Sequence, residues 1–156
     1  MKWIWLIGLM VFLLSCSNST LYKQDYTVDE SGWDYKDTLE YQFDIHDTLQ
    51  SYNLLINLKY RDTYAYSNLY FFVDVIDPQN QKYRDTIECI MATPQGRWLG
   101  KQSGDYIEHR FLYRYNVNFP KSGQYRIYLQ QAMRDTLLKK ISSVGIELQK
   151  FKEKLD

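Results

Sequence analysis

Apolar and polar side chains alternate along much of this 156-residue chain, and a period of two is typical of β-strands rather than helices. In the segment 53–60, for example, Leu54, Ile56 and Leu58 share one face. Segments of this kind are separated by residues that favour turns, such as proline, glycine and asparagine. The pattern predicts strands over 41–45, 53–60, 69–76, 83–91, 107–117, 124–131 and 144–148.

Seven strands at a spacing of about ten residues, joined by turns, predict a single antiparallel β-sandwich. The sequence shows no long helical periodicity, and 133–140 is expected to form either one helical turn or a loop. Periodicity alone does not separate a jelly roll from an immunoglobulin-like sandwich. The Cys–Trp–Cys pattern of immunoglobulin domains is missing from the sequence, which favours the jelly roll.

The shared faces of these strands also predict the core. The segment 69–76 is apolar at most positions, and we expect it to be buried on both faces. Six side chains are expected to face the space between the two sheets, because they lie on period-two apolar faces. They are Leu54, Ile56, Leu58, Phe72, Ile127 and Leu129.

The N-terminus carries the pattern of a bacterial lipoprotein signal. Lys2 precedes a short apolar run that ends in Leu13, Leu14, Ser15 and Cys16. The run has about twelve apolar residues, whereas a membrane-spanning helix needs about 20. We therefore predict cleavage after Ser15 and acylation of Cys16, so that the chain is held to a membrane by acyl chains. The predicted parts are a signal peptide (1–15), a lipidated tether (16–32), a sandwich domain (33–150) and a tail (151–156).

The residues after Cys16 bear on the membrane that holds the chain. In known inner-membrane retention signals, an aspartate directly follows the lipidated cysteine. In some surface-export signals, a run of acidic residues follows it. Small polar residues, Ser17, Asn18 and Ser19, follow Cys16 instead. We expect the outer membrane, with the domain facing the periplasm.

Charge and composition exclude several kinds of function. Nineteen basic and nineteen acidic residues leave no basic excess for nucleic acid, so no nucleic-acid partner is expected. His46 and His109 are isolated, and no metal site is expected. Cys89 has no cysteine partner once Cys16 is acylated, and it is expected to be a buried small hydrophobe.

Catalytic motifs give no support for an enzyme. The sequence has neither a Gly-x-Ser-x-Gly nucleophile motif nor a phosphate-binding loop, and no cofactor is expected. Pairs of carboxylates are available, but among 19 acidic residues their presence carries little weight. The four considered are Asp74, Glu88, Asp105 and Glu108.

The loop 94–100 is the strongest candidate for binding a partner. It places Arg97, Trp98 and Leu99 between two glycines, and Trp and Arg dominate the energetics of many interfaces. The alternative is that Trp98 and Leu99 close one end of the sandwich. Trp33 presents the same choice between a side chain that fastens the N-terminal arm to the sheet and an exposed contact.

Five short motifs are spread over the chain behind the cleavage box and cover nearly all of it after Cys16. They are Tyr64-Ala65-Tyr66-Ser67-Asn68-Leu69, Asp85-Thr86-Ile87-Glu88-Cys89, Gly96-Arg97-Trp98-Leu99-Gly100, Gln130-Gln131-Ala132-Met133-Arg134 and Ser143-Val144-Gly145-Ile146. In their order and spacing, these motifs resemble the GldH family of gliding motility lipoproteins.

The resemblance implies a lipid-anchored envelope protein needed for gliding, which works without catalysis alongside the gliding and type IX secretion machinery and its envelope proteins. Only Cys16 receives an assigned role from the family. A second hypothesis is a carbohydrate-binding lipoprotein that stacks sugars on Trp98 and several tyrosines. A coplanar row of exposed aromatic rings would favour carbohydrate binding, and a single apolar patch on a loop would favour a protein contact.

Overall fold

The computed structural model describes residues 19–152, and this part of the chain consists of strands and connecting loops without any helix. The strands are β1 (Thr20–Thr27), β2 (Trp33–Asp34), β3 (Thr38–Ile45), β4 (Ser51–Arg61), β5 (Asn68–Ile76), β6 (Lys82–Ile90), β7 (Lys101–Ser103), β8 (Tyr106–Asn118), β9 (Gly123–Gln131), β10 (Leu137–Leu138) and β11 (Ile141–Lys150). The predicted all-β class is confirmed. Segment 133–140 holds the short strand β10 rather than a helical turn.

Two antiparallel sheets form the sandwich. One has the order β1-β11-β4-β8-β7, the other has the order β3-β9-β5-β6, and β2 pairs with β10 beside them. Among the eight long strands, the first pairs with the last, the second with the second to last, and so on inwards. The pairs are β1 with β11, β3 with β9, β4 with β8 and β5 with β6. Successive pairs alternate between the sheets, which is the arrangement of a jelly roll.

The core between the sheets contains five of the six side chains predicted for it, namely Leu54, Ile56, Leu58, Ile127 and Leu129. The prediction for Phe72 is wrong. Leu69, Phe71 and Val73 take the inward positions of β5, so Phe72 lies on the outer face, where the Arg84 guanidinium sits 5.4 Å from its ring centre. Neighbouring residues of a strand point to opposite faces. For the same reason the expectation that 69–76 is buried on both faces is wrong.

The predicted tether is too long. Residues 20–27 form β1, which pairs with β11 from Thr20 opposite Gln149 to Thr27 opposite Ser143. Trp33, also assigned to the margin of the domain, is buried and donates its indole N–H to the carbonyl oxygen of Asp37 at 3.0 Å. It therefore fastens the N-terminal arm to the core. Strand β1 begins at Thr20, so only residues 17–19 lie between Cys16 and the sheet in the sequence.

The two ends of the sandwich differ in which loops they carry. We call one end the N-terminal pole, because β1 begins there; it includes Thr20, Ser51, Asn118 and Lys150. The opposite end, the distal pole, includes Thr27, Arg61, Tyr106 and Ile141. Strand β4 runs from one pole to the other in 11 residues, which corresponds to about 33 Å.

Candidate functional site

The predicted partner-binding loop is an ordered hairpin at the distal pole. The N–H of Thr93 donates to the carbonyl oxygen of Arg97, and the N–H of Gly96 donates to that of Thr93, both at 2.8 Å. Proline occupies the second position of this turn, and Gly96 has a φ of +80°, which favours glycine. A turn followed by a left-handed glycine is a standard three-residue hairpin loop. Arg97 is therefore held on a defined turn.

The three predicted contact residues have different surroundings. Trp98 is half-buried, since its ring meets the buried ring of Tyr60 edge to face with centroids 5.3 Å apart. Arg97 is exposed, and Leu99 is 48% exposed although its N–H donates to the carbonyl oxygen of Met91 at 2.9 Å. Trp98 thus helps to close the end of the sandwich, while Arg97 and Leu99 remain accessible for a contact.

Gly100 brings the end of this loop against β8. A Cβ atom at Gly100 would lie 2.6 Å from both the backbone oxygen of Glu108 and a side-chain carbon of Ile107. Atoms cannot approach that closely without displacing the backbone. The glycine therefore fixes the position of the loop relative to the five-stranded sheet.

Sequence reasoning missed a chain of aromatic rings that continues from Trp98 across the distal pole. Tyr60 lies 5.9 Å from Tyr64, and Tyr64 lies 5.7 Å from Tyr66. The hydroxyl of Tyr66 donates to Asp135 at 2.7 Å, and this hydrogen bond raises the pKa of Tyr66. The only signal in the sequence was the tyrosine-rich stretch around 64–66, which the fold brings next to the loop 94–100.

Exposed apolar side chains are also present on the segments that meet at the distal pole. Several large hydrophobic residues at the distal pole retain more than a third of their accessible surface. They are Tyr35, Tyr66, Tyr70, Ile90, Leu99 and Leu137. Exposed apolar surface of this kind marks many protein-binding sites. The distal pole is therefore the candidate functional site.

Two other residues considered in the sequence, Cys89 and Asp74, have environments that do not suit catalysis. Cys89 is buried in β6, and burial raises its pKa to about 12, which keeps it a thiol. Asp74 accepts two hydrogen bonds from Arg84, at 2.7 and 2.8 Å, and this contact lowers its pKa despite partial burial. A carboxylate held in its charged form by an arginine is poorly suited to act as a general acid.

The outer face of the five-stranded sheet holds a buried carboxylate. Glu147 accepts hydrogen bonds from Asn57 at 3.1 Å, Arg110 at 3.0 Å and Gln149 at 2.6 Å. Next to it, Gly145 leaves a gap in β11 that the Asp25 carboxylate fills, since a Cβ there would lie 1.9 Å from an Asp25 oxygen. The motif containing Gly145 therefore has a structural role, because the glycine makes room for Asp25 of the neighbouring strand β1.

Some predicted sites lie outside the described residues, among them Cys16 and the signal peptide. Residues 19–152 contain no helix that is long and apolar enough to cross a membrane.

Comparison with known proteins identifies relatives over most of the chain. Residues 20–148 match the model of the family described as GldH lipoprotein. The chain is 32% identical over 148 residues to the "Gliding motility lipoprotein GldH homolog" of Christiangramia forsetii, covering 90% of each chain. It is 27% identical over 146 residues to the "Gliding motility lipoprotein GldH" of Flavobacterium johnsoniae, covering 89% of this chain and 90% of the relative.

Among solved structures, the VP2 subviral particle of infectious bursal disease virus aligns with 85% of this chain and 31% of its own chain. The TM-score is 0.35 and the sequence identity is 11%.

Proposed function

The chain belongs to the GldH lipoprotein family, and from that membership we propose that it supports gliding and type IX secretion without catalysis, by binding an envelope protein through its distal pole. The family places it among membrane-associated lipoproteins of the cell envelope. The proposal adds a position for the contact, with Arg97 and Leu99 as the exposed part of the site and Trp98 as its support.

The position of the membrane anchor supports this assignment. Acylation of Cys16 would hold the N-terminal pole at the membrane, because only two residues separate Cys16 from Ser19, whose carbonyl oxygen accepts a hydrogen bond from the N–H of Lys150 at 2.7 Å. Three residue steps reach at most about 11 Å. The distal pole would then point away from the bilayer, where an envelope protein can reach it. We propose the outer membrane, with the domain facing the periplasm.

The geometry of the aromatic rings favours a protein contact over a carbohydrate. A platform for sugars needs ring faces that are exposed in one plane. The ring planes of Tyr60 and Trp98 meet at 69°, and those of Tyr64 and Tyr66 at 72°. These rings therefore do not lie in one plane. The observation that carries the proposal is the ordered loop that exposes Arg97 and Leu99 beside these rings.

Substitution of Arg97 by alanine tests the proposal. Arg97 is exposed, so the domain should melt like the parent, with a change in unfolding free energy within about 0.5 kcal/mol. Gliding or secretion in a deletion strain should be impaired. Arg126→Ala is the control, because Arg126 lies on the four-stranded sheet and away from the loop 94–100. Its guanidinium donates a hydrogen bond to the side-chain oxygen of Asn80 at the opposite pole. Full complementation by folded Arg97→Ala would remove Arg97 from the site.

Photo-cross-linking identifies the partner directly. A photoreactive amino acid at Leu99, which is 48% exposed, should capture an envelope protein in intact cells. The same amino acid at Leu112, which is 46% exposed on the outer face of the five-stranded sheet, is the matched control. Equal capture at both positions would show that the distal pole has no special role.

A further inference from the structure

Leu49 is the most exposed large hydrophobic side chain in the described part of the protein, at 93%. It lies in the connection 46–50 at the N-terminal pole. The loop is well ordered, because the Asp47 carboxylate accepts hydrogen bonds from the N–H groups of Leu49 at 2.9 Å and Gln50 at 3.3 Å. The Gln50 amide in turn donates to the carbonyl oxygen of Phe151 at 3.1 Å. Exposed leucines that occur singly are normal, so Leu49 has meaning only together with apolar side chains beside it.

Two aromatic side chains lie beside this loop. Tyr115 is 65% exposed, and its ring meets that of Phe151 edge to face, with centroids 5.2 Å apart. Asn116, which follows, has a φ of +49°, and its N–H donates to the side-chain oxygen of Asn53 at 2.9 Å. The ladder between β4 and β8 is irregular here. Leu49, Tyr115 and Phe151 line one open groove, and we call these three side chains the N-terminal patch. The rest of the lining is polar and consists of Asp47, Gln50, Ser51 and Asn116.

The N-terminal patch is adjacent to the start of the chain that leads to Cys16. The N–H of Phe151 donates to the carbonyl oxygen of Ser51 at 2.8 Å, and the preceding Lys150 binds Ser19. Ser19 is three residues from Cys16, so an acyl chain on Cys16 would hold this pole within about 11 Å of the lipid surface. The distal pole lies at the opposite end of β4 and is therefore farther from Cys16.

We infer that the N-terminal patch inserts into the interfacial region of the bilayer that holds Cys16, an inference that rests on the proposed acylation. Leucine buries apolar area in lipid, and tyrosine is enriched at membrane interfaces, where its ring is apolar and its hydroxyl meets water. Attachment at Cys16 raises the local concentration of the patch at the membrane, so weak contacts suffice. Docking sets the orientation of the domain and directs Arg97 and Leu99 away from the lipid.

Quenching by brominated lipids tests this orientation. Residues 16–156, which contain the whole described fold, are coupled through Cys16 to a maleimide lipid in phosphatidylethanolamine/phosphatidylglycerol vesicles. Cys89 is buried and is spared by the reagent. Leu49→Trp places a reporter in the N-terminal patch, and Leu99→Trp is the matched reporter at the distal pole. The remaining tryptophans of this chain, Trp33 and Trp98, both lie towards the distal pole and provide an unquenched background.

Brominated acyl chains should at least halve the added fluorescence of Leu49→Trp and leave that of Leu99→Trp unchanged. Tyr115→Trp provides a second reporter in the patch and should be quenched as well. Equal quenching of the Leu49→Trp and Leu99→Trp reporters, or none in the patch, would overturn the inference. Because the lipid is attached chemically, that outcome leaves natural acylation untouched, and natural acylation is tested separately by metabolic labelling.

Discussion

The two neighbouring phenylalanines of β5 provide a stringent test of the fold. Phe71 is fully buried and lies 5.9 Å from the ring of Trp33, whereas Phe72 lies on the outer face beneath the Arg84 guanidinium. Replacement of either by alanine removes the same atoms. Only the Phe71 substitution leaves a cavity inside the sandwich, and such changes cost about 3–5 kcal/mol.

The outer substitution should cost much less. Phe72→Ala loses part of a hydrophobic burial that is worth about 1.5–3 kcal/mol when complete, together with a cation–π contact of about 0.5–1 kcal/mol. Its total should be about 1–2 kcal/mol, because solvent fills the space that is left. The Phe71 substitution should therefore cost about 1–4 kcal/mol more than the Phe72 substitution.

Urea unfolding of residues 16–156 measures both values, and the dependence of free energy on urea should match that of the parent. Leu69→Ala is a control for the inward face and should behave like Phe71→Ala. If Phe72→Ala proved as costly as Phe71→Ala, or costlier, the register of β5 would be shifted by one residue, because such a shift exchanges the two faces of a strand.

Two further predictions follow from the anchor and from the buried carboxylate. Cys16→Ala should leave an uncleaved precursor that takes up no fatty-acid analogue during metabolic labelling; label in the mutant would contradict the assigned acylation. Burial raises the pKa of Glu147, but the hydrogen bonds from Asn57 and Gln149 and the charges of Arg110 and Lys23 together outweigh it and lower the pKa below its usual 4.5. The stability that Glu147 contributes is therefore present above pH 4.5 and is lost as the pH falls through the lower pKa of the folded state. The difference in unfolding free energy between the parent and Glu147→Gln should shrink in acid, and a difference that is constant with pH would refute this role.

The strands were predictable where apolar and polar residues alternate, as in β4 and β9. Strand β1 was missed because its inward positions are Tyr22, Gln24 and Tyr26, which are amphipathic and resemble a polar tether. Phe72 was misplaced because apolar residues occupy both faces of β5, so periodicity could not decide between Phe71 and Phe72. The alternation of apolar and polar residues along a strand shows which face is buried, but it cannot identify that face where both faces carry apolar side chains.

The candidate site was predictable only in part. The composition of the loop 94–100 identified Arg97 and Leu99 as possible contacts, and both are accessible. The neighbouring rings of Tyr64 and Tyr66 lie some thirty residues earlier in the sequence and reach Trp98 only through Tyr60 at the end of β4. Local pattern contains no information about which loops meet at one pole, because strand order decides it.

The order of the strands explains why the two poles can have separate roles. The eight long strands run alternately in opposite directions, so alternate connections between them fall at the same pole. The N-terminal pole receives the short connections 46–50, 77–81 and 119–122, which keep that end compact beside the proposed membrane. The distal pole receives 28–37, 62–67, 91–105 and 132–140, which include the short strands β2, β7 and β10.

Long loops can change in sequence without altering the sandwich. Since β1 starts at the opposite pole, a partner surface built from those loops can vary while the anchor and the core stay the same.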